Sequence, residues 1–239
     1  MKRNIMLPIL AMMVILLASP AFSQDSDEQE PTVEEQYLRG SDFQVVEELA
    51  NSLDRSNKML ALDNIEQMLE EDGLVTGDPQ AHLILEYLAM EGITRQVREG
   101  VRLINYFPEV RRRSAELLGR LGGRLSQETL IEILLADDEP MVLAEAAYAL
   151  GEIANDPNDE AARAIARAVE SQNIVSPDNN FAWAALLALE NLATSGDGIQ
   201  DPLVFRAVIH IAQGNYIRDV KLKAYDVLQI LRGRTPDSE

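Results

Sequence analysis

Residues 108–122, PEVRRRSAELLGRLG, decide the fold. Val110, Ser114, Leu117, Leu118 and Leu121 fall at offsets 0, 4, 7, 8 and 11, one stripe along a helix of 3.6 residues per turn. Pro108 opens that helix and Gly122-Gly123 stops it. The same offsets return at Val142, Ala146, Ala149, Leu150 and Ile153, then at Phe181, Ala185, Ala188, Leu189 and Leu192, and again at Val220, Ala224, Val227, Leu228 and Leu231. One such stripe is an amphipathic helix. Four of them, starting 32, 39 and 39 residues apart, describe one helical unit repeated along the chain.

Working outward, the remaining residues read as helices too. The chain is 46% hydrophobic but only 5% aromatic, and Ala and Leu supply much of the apolar content, which suits close helix packing better than sheets. No window shows sustained period-2 alternation between turn residues. Acidic-proline and glycine punctuation predicts eleven helices, paired as 56–72 with 78–91, 94–107 with 108–122, 126–136 with 139–155, 158–172 with 178–194, and 201–213 with 216–232. A helix at 41–53, N-capped by Ser41-Asp42, is expected to cap the open end of the stack.

The N-terminus is MKRNIMLPILAMMVILLASPAFSQ: a positive start, an apolar run of about 14 residues, and small residues at Ala21 and Ser23. That run is short of the roughly 20 residues that span a bilayer, so residues 1–23 read as a cleaved signal peptide. Residues 24–40 then read as an acidic disordered linker, 41–232 as the helical array and 233–239 as a frayed tail. With no cysteine for disulfides or lipidation, the expected compartment is the periplasm of a Gram-negative-type bacterium. The formal charge of −19 argues against nucleic acid and against anionic lipid, and removal of the short apolar run with the signal peptide leaves no stable membrane insertion expected.

The wording at 108–122 resembles the second helix of a HEAT-like repeat: Pro108-Glu109-Val110-Arg111, Ala115, Leu117-Leu118-Gly119, Leu121-Gly122. Ala147, Ala149-Leu150-Gly151 and Ile153, entered through Asp138-Glu139-Pro140-Met141-Val142, resemble the same unit. At the later copies Glu190 and Gln229 replace the glycine. The resemblance covers roughly 56–232 and is strongest over 108–154. It implies an all-α fold, a right-handed α-solenoid of about five helix pairs, of the type seen in phycobilin-lyase HEAT-type proteins. It also implies a non-catalytic scaffold that binds a protein or peptide along a concave face lined by second helices. Gly119 and Gly151 destabilise a helix by roughly 1 kcal/mol each, which close backbone contact or curvature explains.

Chemistry has little to build on. There is no Cys, only His82 and His210, no G-x-S-x-G pattern and no phosphate loop. No catalytic, cofactor or metal residue is assigned. Asp137-Asp138-Glu139 reads as a helix N-terminus.

Charge distribution is more informative. Residues 95–124 hold eight arginines (95, 98, 102, 111, 112, 113, 120 and 124) against three glutamates, while residues 24–72 hold fifteen acidic residues against three basic ones. Either the two regions match internally, or the arginines form a patch for an acidic partner. Offsets +2 and +6 of the repeat point away from its stripe, and there stand Arg112 and Glu116, Ala144 and Tyr148, Trp183 and Leu187, and Leu222 and Asp226. Arg112, Arg113, Tyr148, Trp183 and Leu187 are therefore the candidate partner-binding residues, unless that arc is core. The alternatives are an accessory enzyme subunit or lyase-like ligand holder, and an envelope protein that associates with itself.

Overall fold

The computed structural model describes residues 33–71, 74–175, 177–195 and 198–233, with backbone alone at 33–39 and 173–175. The expected signal sequence, linker residues 24–32 and the tail from 234 lie outside the described residues. The chain divides between Arg39 and Gly40, and the architecture below is that of the second unit.

Ten helices occur among the described residues: α1 (Val33–Asn51), α2 (Arg55–Glu70), α3 (Pro79–Ala89), α4 (Pro108–Leu121), α5 (Gly123–Ala136), α6 (Pro140–Ile153), α7 (Glu160–Val175), α8 (Asn179–Ser195), α9 (Pro202–Gln213) and α10 (Arg218–Gly233). They stack in two layers. In the first, α3, α5, α7 and α9 pack side by side; in the second, α2, α4, α6, α8 and α10 do the same. Between layers the pairs are α3–α4, α5–α6, α7–α8 and α9–α10. At the N-terminal end α1 contributes Phe43, Val46 and Ala50 to the same core.

The four stripes face that core. Of their twenty positions all are buried except Ile153, which is half-buried. Acidic residues close the helix starts: Asp54 accepts from the Ser56 N–H, Asp78 from Gln80 and Ala81, Asp156 from Ala161 and Ala162, Asp178 from Phe181 and Asp201 from Leu203. Gly119 and Gly151 lie at close helix contacts. A Cβ on Gly119 would stand 2.7 Å from Ala149 Cβ, and one on Gly151 would stand 2.7 Å from Ala188 Cα. Of the two explanations offered for these glycines, backbone contact is the one observed.

Two expectations are corrected. The helix at 94–107 does not form. Its place is taken by a small antiparallel hairpin, β1 (Arg98–Glu99) and β2 (Arg102–Leu103), in which Arg98 faces Leu103 and Glu99 faces Arg102. Gly100, with φ 63°, occupies the first of two turn positions, where hairpins of the II′ kind need glycine. The pairing changes as a result: α3 pairs with α4 across the hairpin, and α2 joins the layer of second helices. In addition, α1 begins at Val33, inside the segment expected to be linker, so Ser41 lies within the helix and does not cap it.

Candidate functional site

The hairpin is held by buried polar residues. Lys58 on α2 is fully buried; its Nζ donates to the Ala50 carbonyl (2.7 Å) and to Glu91 Oε2 (3.1 Å) and faces the Tyr87 ring. Asn105 Nδ2 donates to Glu91 Oε1 (2.9 Å) and to the Arg95 carbonyl (2.6 Å), while its Oδ1 accepts from the Val97 N–H (2.8 Å). The side chain thus satisfies backbone groups that the short ladder leaves over.

Arg111 on α4 is the largest fully buried side chain. Its Nε and Nη2 donate to both carboxylate oxygens of Asp137, at 2.7 and 3.1 Å. Its Nη1 reaches the Glu91 carbonyl at 3.3 Å, and the guanidinium lies 4.7 Å from the Tyr106 ring centre. Asp137 also accepts from the Glu139 N–H at the start of α6. The acidic turn is therefore both a helix start and the partner of a buried cation.

The other arginines of the basic repeat are met from inside the molecule. Arg113 pairs with Glu66 and with Glu116; Arg120 pairs with Glu66 (2.7 Å) and Glu70 (3.6 Å). Arg55 of α2 returns a bond to Glu109, and Arg124 pairs with Glu128 at 2.7 Å. Burial raises the Glu66 carboxyl, but the hydrogen bonds and charges of Arg113 and then Arg120 outweigh it, leaving it below the ordinary carboxylate value. The acidic α2 thus lies against the basic α4, the internal match that the charge distribution allowed.

Arg112 and Tyr148 come together at a cleft of about 580 Å³ between α4 and α6, lined also by Glu116, Arg120, Glu145 and Glu152, with the Gly119–Ala149 contact among its walls. Arg112 bonds Glu145 at 3.0 Å and Glu116 at 3.6 Å. Burial pushes the Glu145 carboxyl up, against the opposing pull of Arg112. Arg113 does not line the cleft. Trp183 and Leu187 extend the same layer onto α8, and Leu222 extends it onto α10. Tyr148 is 44% exposed, Trp183 40% and Leu222 50%, whereas Leu187 is half-buried.

His82 is buried between α3 and α5, 3.1 Å from Thr129 Oγ1, and His210 lies exposed near the end of α9. Among the described residues no group of three or more His, Asp or Glu is placed to hold a metal ion, and no helix is long and apolar enough to cross a membrane. What the sequence reading missed is that the eight arginines form two sets. Arg111, Arg112, Arg113, Arg120 and Arg124 have carboxylate partners; Arg95, Arg98 and Arg102 stand on the hairpin without one among the described residues. Gly100 in the middle of that stretch was the available signal.

Two side-by-side helical layers, built from one repeated stripe, define an α-solenoid repeat protein. The family model for HEAT repeats matches residues 102–175, from the second hairpin strand through α7. Over that stretch the chain is similar to HEAT repeats, and the same two-layer helix packing continues on to α10. No curated protein matches it.

Proposed function

We propose that this protein is a non-catalytic scaffold that binds a segment of another protein across the layer formed by α4, α6, α8 and α10. HEAT repeats generally serve as protein-interaction scaffolds, and in HEAT-like arrays this layer lines the concave side. The observation that carries the reading is the exposure of Tyr148 and Trp183 on adjacent helices of one layer. Large aromatic side chains left in solvent on a fixed backbone are the usual anchors of an interface. Around them the charges alternate: Arg112 and Arg120 on α4, Glu145 and Glu152 on α6. An amphipathic helix with an apolar stripe and both signs of charge fits such a surface.

Trp183→Ala is expected to weaken binding of the native partner by about 2 kcal/mol or more, roughly thirtyfold in Kd, with an unchanged far-ultraviolet circular dichroism spectrum. The measurement is titration calorimetry with the partner recovered by affinity capture on the wild-type chain. Undiminished affinity in both Trp183→Ala and Tyr148→Ala would remove this layer as the binding face.

The N-terminal sequence supports export to a bacterial periplasm as part of the same proposal. N-terminal sequencing of the protein from a periplasmic fraction should then give Gln24 as its first residue, whereas a retained Met1 contradicts cleavage.

A further inference from the structure

The hairpin carries the part of the arginine cluster that the repeat leaves unneutralised. Arg98 spends its guanidinium on uncharged acceptors, Gln96 Oε1 at 2.8 Å and the Val101 carbonyl at 3.4 Å. Arg102 is exposed, and although it faces Glu99 across the ladder the two form no ion pair. Arg95 stacks 4.8 Å from the Tyr87 ring centre and reaches into a cleft of about 310 Å³ between α1 and α3. Phe43, Leu83, Ile84 and Tyr87 give that cleft its apolar lining, and among the described residues Glu47 is its only carboxylate. Val101, at the hairpin tip, is 94% exposed.

We propose that the hairpin and the cleft at its root form a second docking site, for an acidic segment of a partner protein. An uncharged apolar side chain seats between α1 and α3, and the carboxylates that follow pair with Arg95, Arg98 and Arg102. The ordering follows from the charges. Glu47 excludes an acidic residue from the α1 side of the cleft, so the negative charges must run toward the hairpin. Guanidinium groups that lack an internal carboxylate can exchange uncharged acceptors for the stronger, bidentate pairing of an incoming one. The net charge of −19 repels any extended anionic surface, so a short acidic segment that touches only the three arginines and the cleft is favoured over a bilayer. The site lies apart from Trp183 and does not depend on the function proposed above.

Fluorescence anisotropy on the full chain tests this with three labelled synthetic peptides: one Phe followed by a run of Glu, the same with Lys for Glu, and the same with Ser for Phe. The acidic Phe peptide should bind, the Lys peptide should not, and the Ser peptide should bind more weakly. Arg98→Glu combined with Arg102→Glu should weaken the acidic peptide by at least about tenfold, because both changes replace attraction with repulsion. Trp183→Ala should leave its affinity unchanged. The proposal is overturned by equal affinity for the Lys peptide, by no binding of the acidic peptide, or by unaltered binding in the double variant with native circular dichroism. It is equally overturned if the hairpin arginines govern only flotation with phosphatidylglycerol vesicles, or only self-association of the chain.

Discussion

Asp137→Ala is expected to lower the unfolding free energy by about 3–5 kcal/mol, the usual consequence of leaving one charge of a buried pair alone. A typical domain is stable by only about 5–15 kcal/mol, so the loss should be plain in the urea midpoint. The cause is Arg111, which is fully buried and would keep only the Glu91 carbonyl and the face of Tyr106. The substitution also takes the acceptor from the Glu139 N–H that starts α6. Replacing both partners, Arg111→Met with Asp137→Leu, should cost clearly less than the single change, since no unpaired charge remains. A single variant within about 0.5 kcal/mol of wild type, the scatter of ordinary surface changes, would show that the pair does not tie α4 to the start of α6.

Glu91→Ala should be nearly as damaging to stability and differ in where the damage falls. The carboxylate receives both the Lys58 ammonium and the Asn105 amide, while the main-chain carbonyl that receives Arg111 survives the change. Without the carboxylate, Lys58 keeps the Ala50 carbonyl and the Tyr87 ring. The expected loss is about 3 kcal/mol. Because Asn105 then keeps only its bonds to the hairpin's own main chain and loses its tie to the body of the protein, local opening should bring trypsin cleavage after Arg98 or Arg102 at least about tenfold faster than in wild type. Asp137→Ala leaves the Lys58–Glu91–Asn105 bonds in place and should not share this pattern. Limited proteolysis with mass spectrometry separates the two, and a hairpin as resistant as in wild type would contradict the role assigned to Glu91.

The second helices from Pro108 onward were legible because their burial is periodic. Offsets 0, 4, 7, 8 and 11 mark residues that face the core whatever lies next to them. The stretch 94–107 misled for a related reason: Val97, Val101 and Ile104 also fall at helical spacing. What overrides that spacing is tertiary. Asn105 replaces missing ladder partners, and Glu91 and Arg111 hold the ends together, contacts between residues far from one another in any helical pattern. Misreading that stretch shifted the pairing of every earlier helix. The pairing of the basic repeat with acidic α2 was visible only as two blocks of opposite charge; which arginine met which glutamate needed the register of α2 against α4. Tyr148 and Trp183 stand where a simple amphipathic helix would be polar, and both are exposed there. Arg113 points about 100° away from Arg112 on the same helix, so it meets Glu66 and Glu116 and not the cleft.

The glycine contacts have a mechanical meaning. Along the second layer, α4 meets α6 and α6 meets α8 at Gly119 and Gly151, with main chains too close for even a methyl group. Between α8 and α10 the corresponding position is Glu190, which reaches Lys223 through long, rotatable side chains. A row of rods in hard contact bends least where it is tightest, so the middle of this molecule should behave as a stiff beam and the α8–α10 junction as its compliant joint. Tyr148 and Trp183 both sit on the beam, at a spacing that thermal bending would barely alter. A ligand spanning them meets a ruler of fixed length, while anything reaching on to Leu222 must tolerate, or exploit, a moving end.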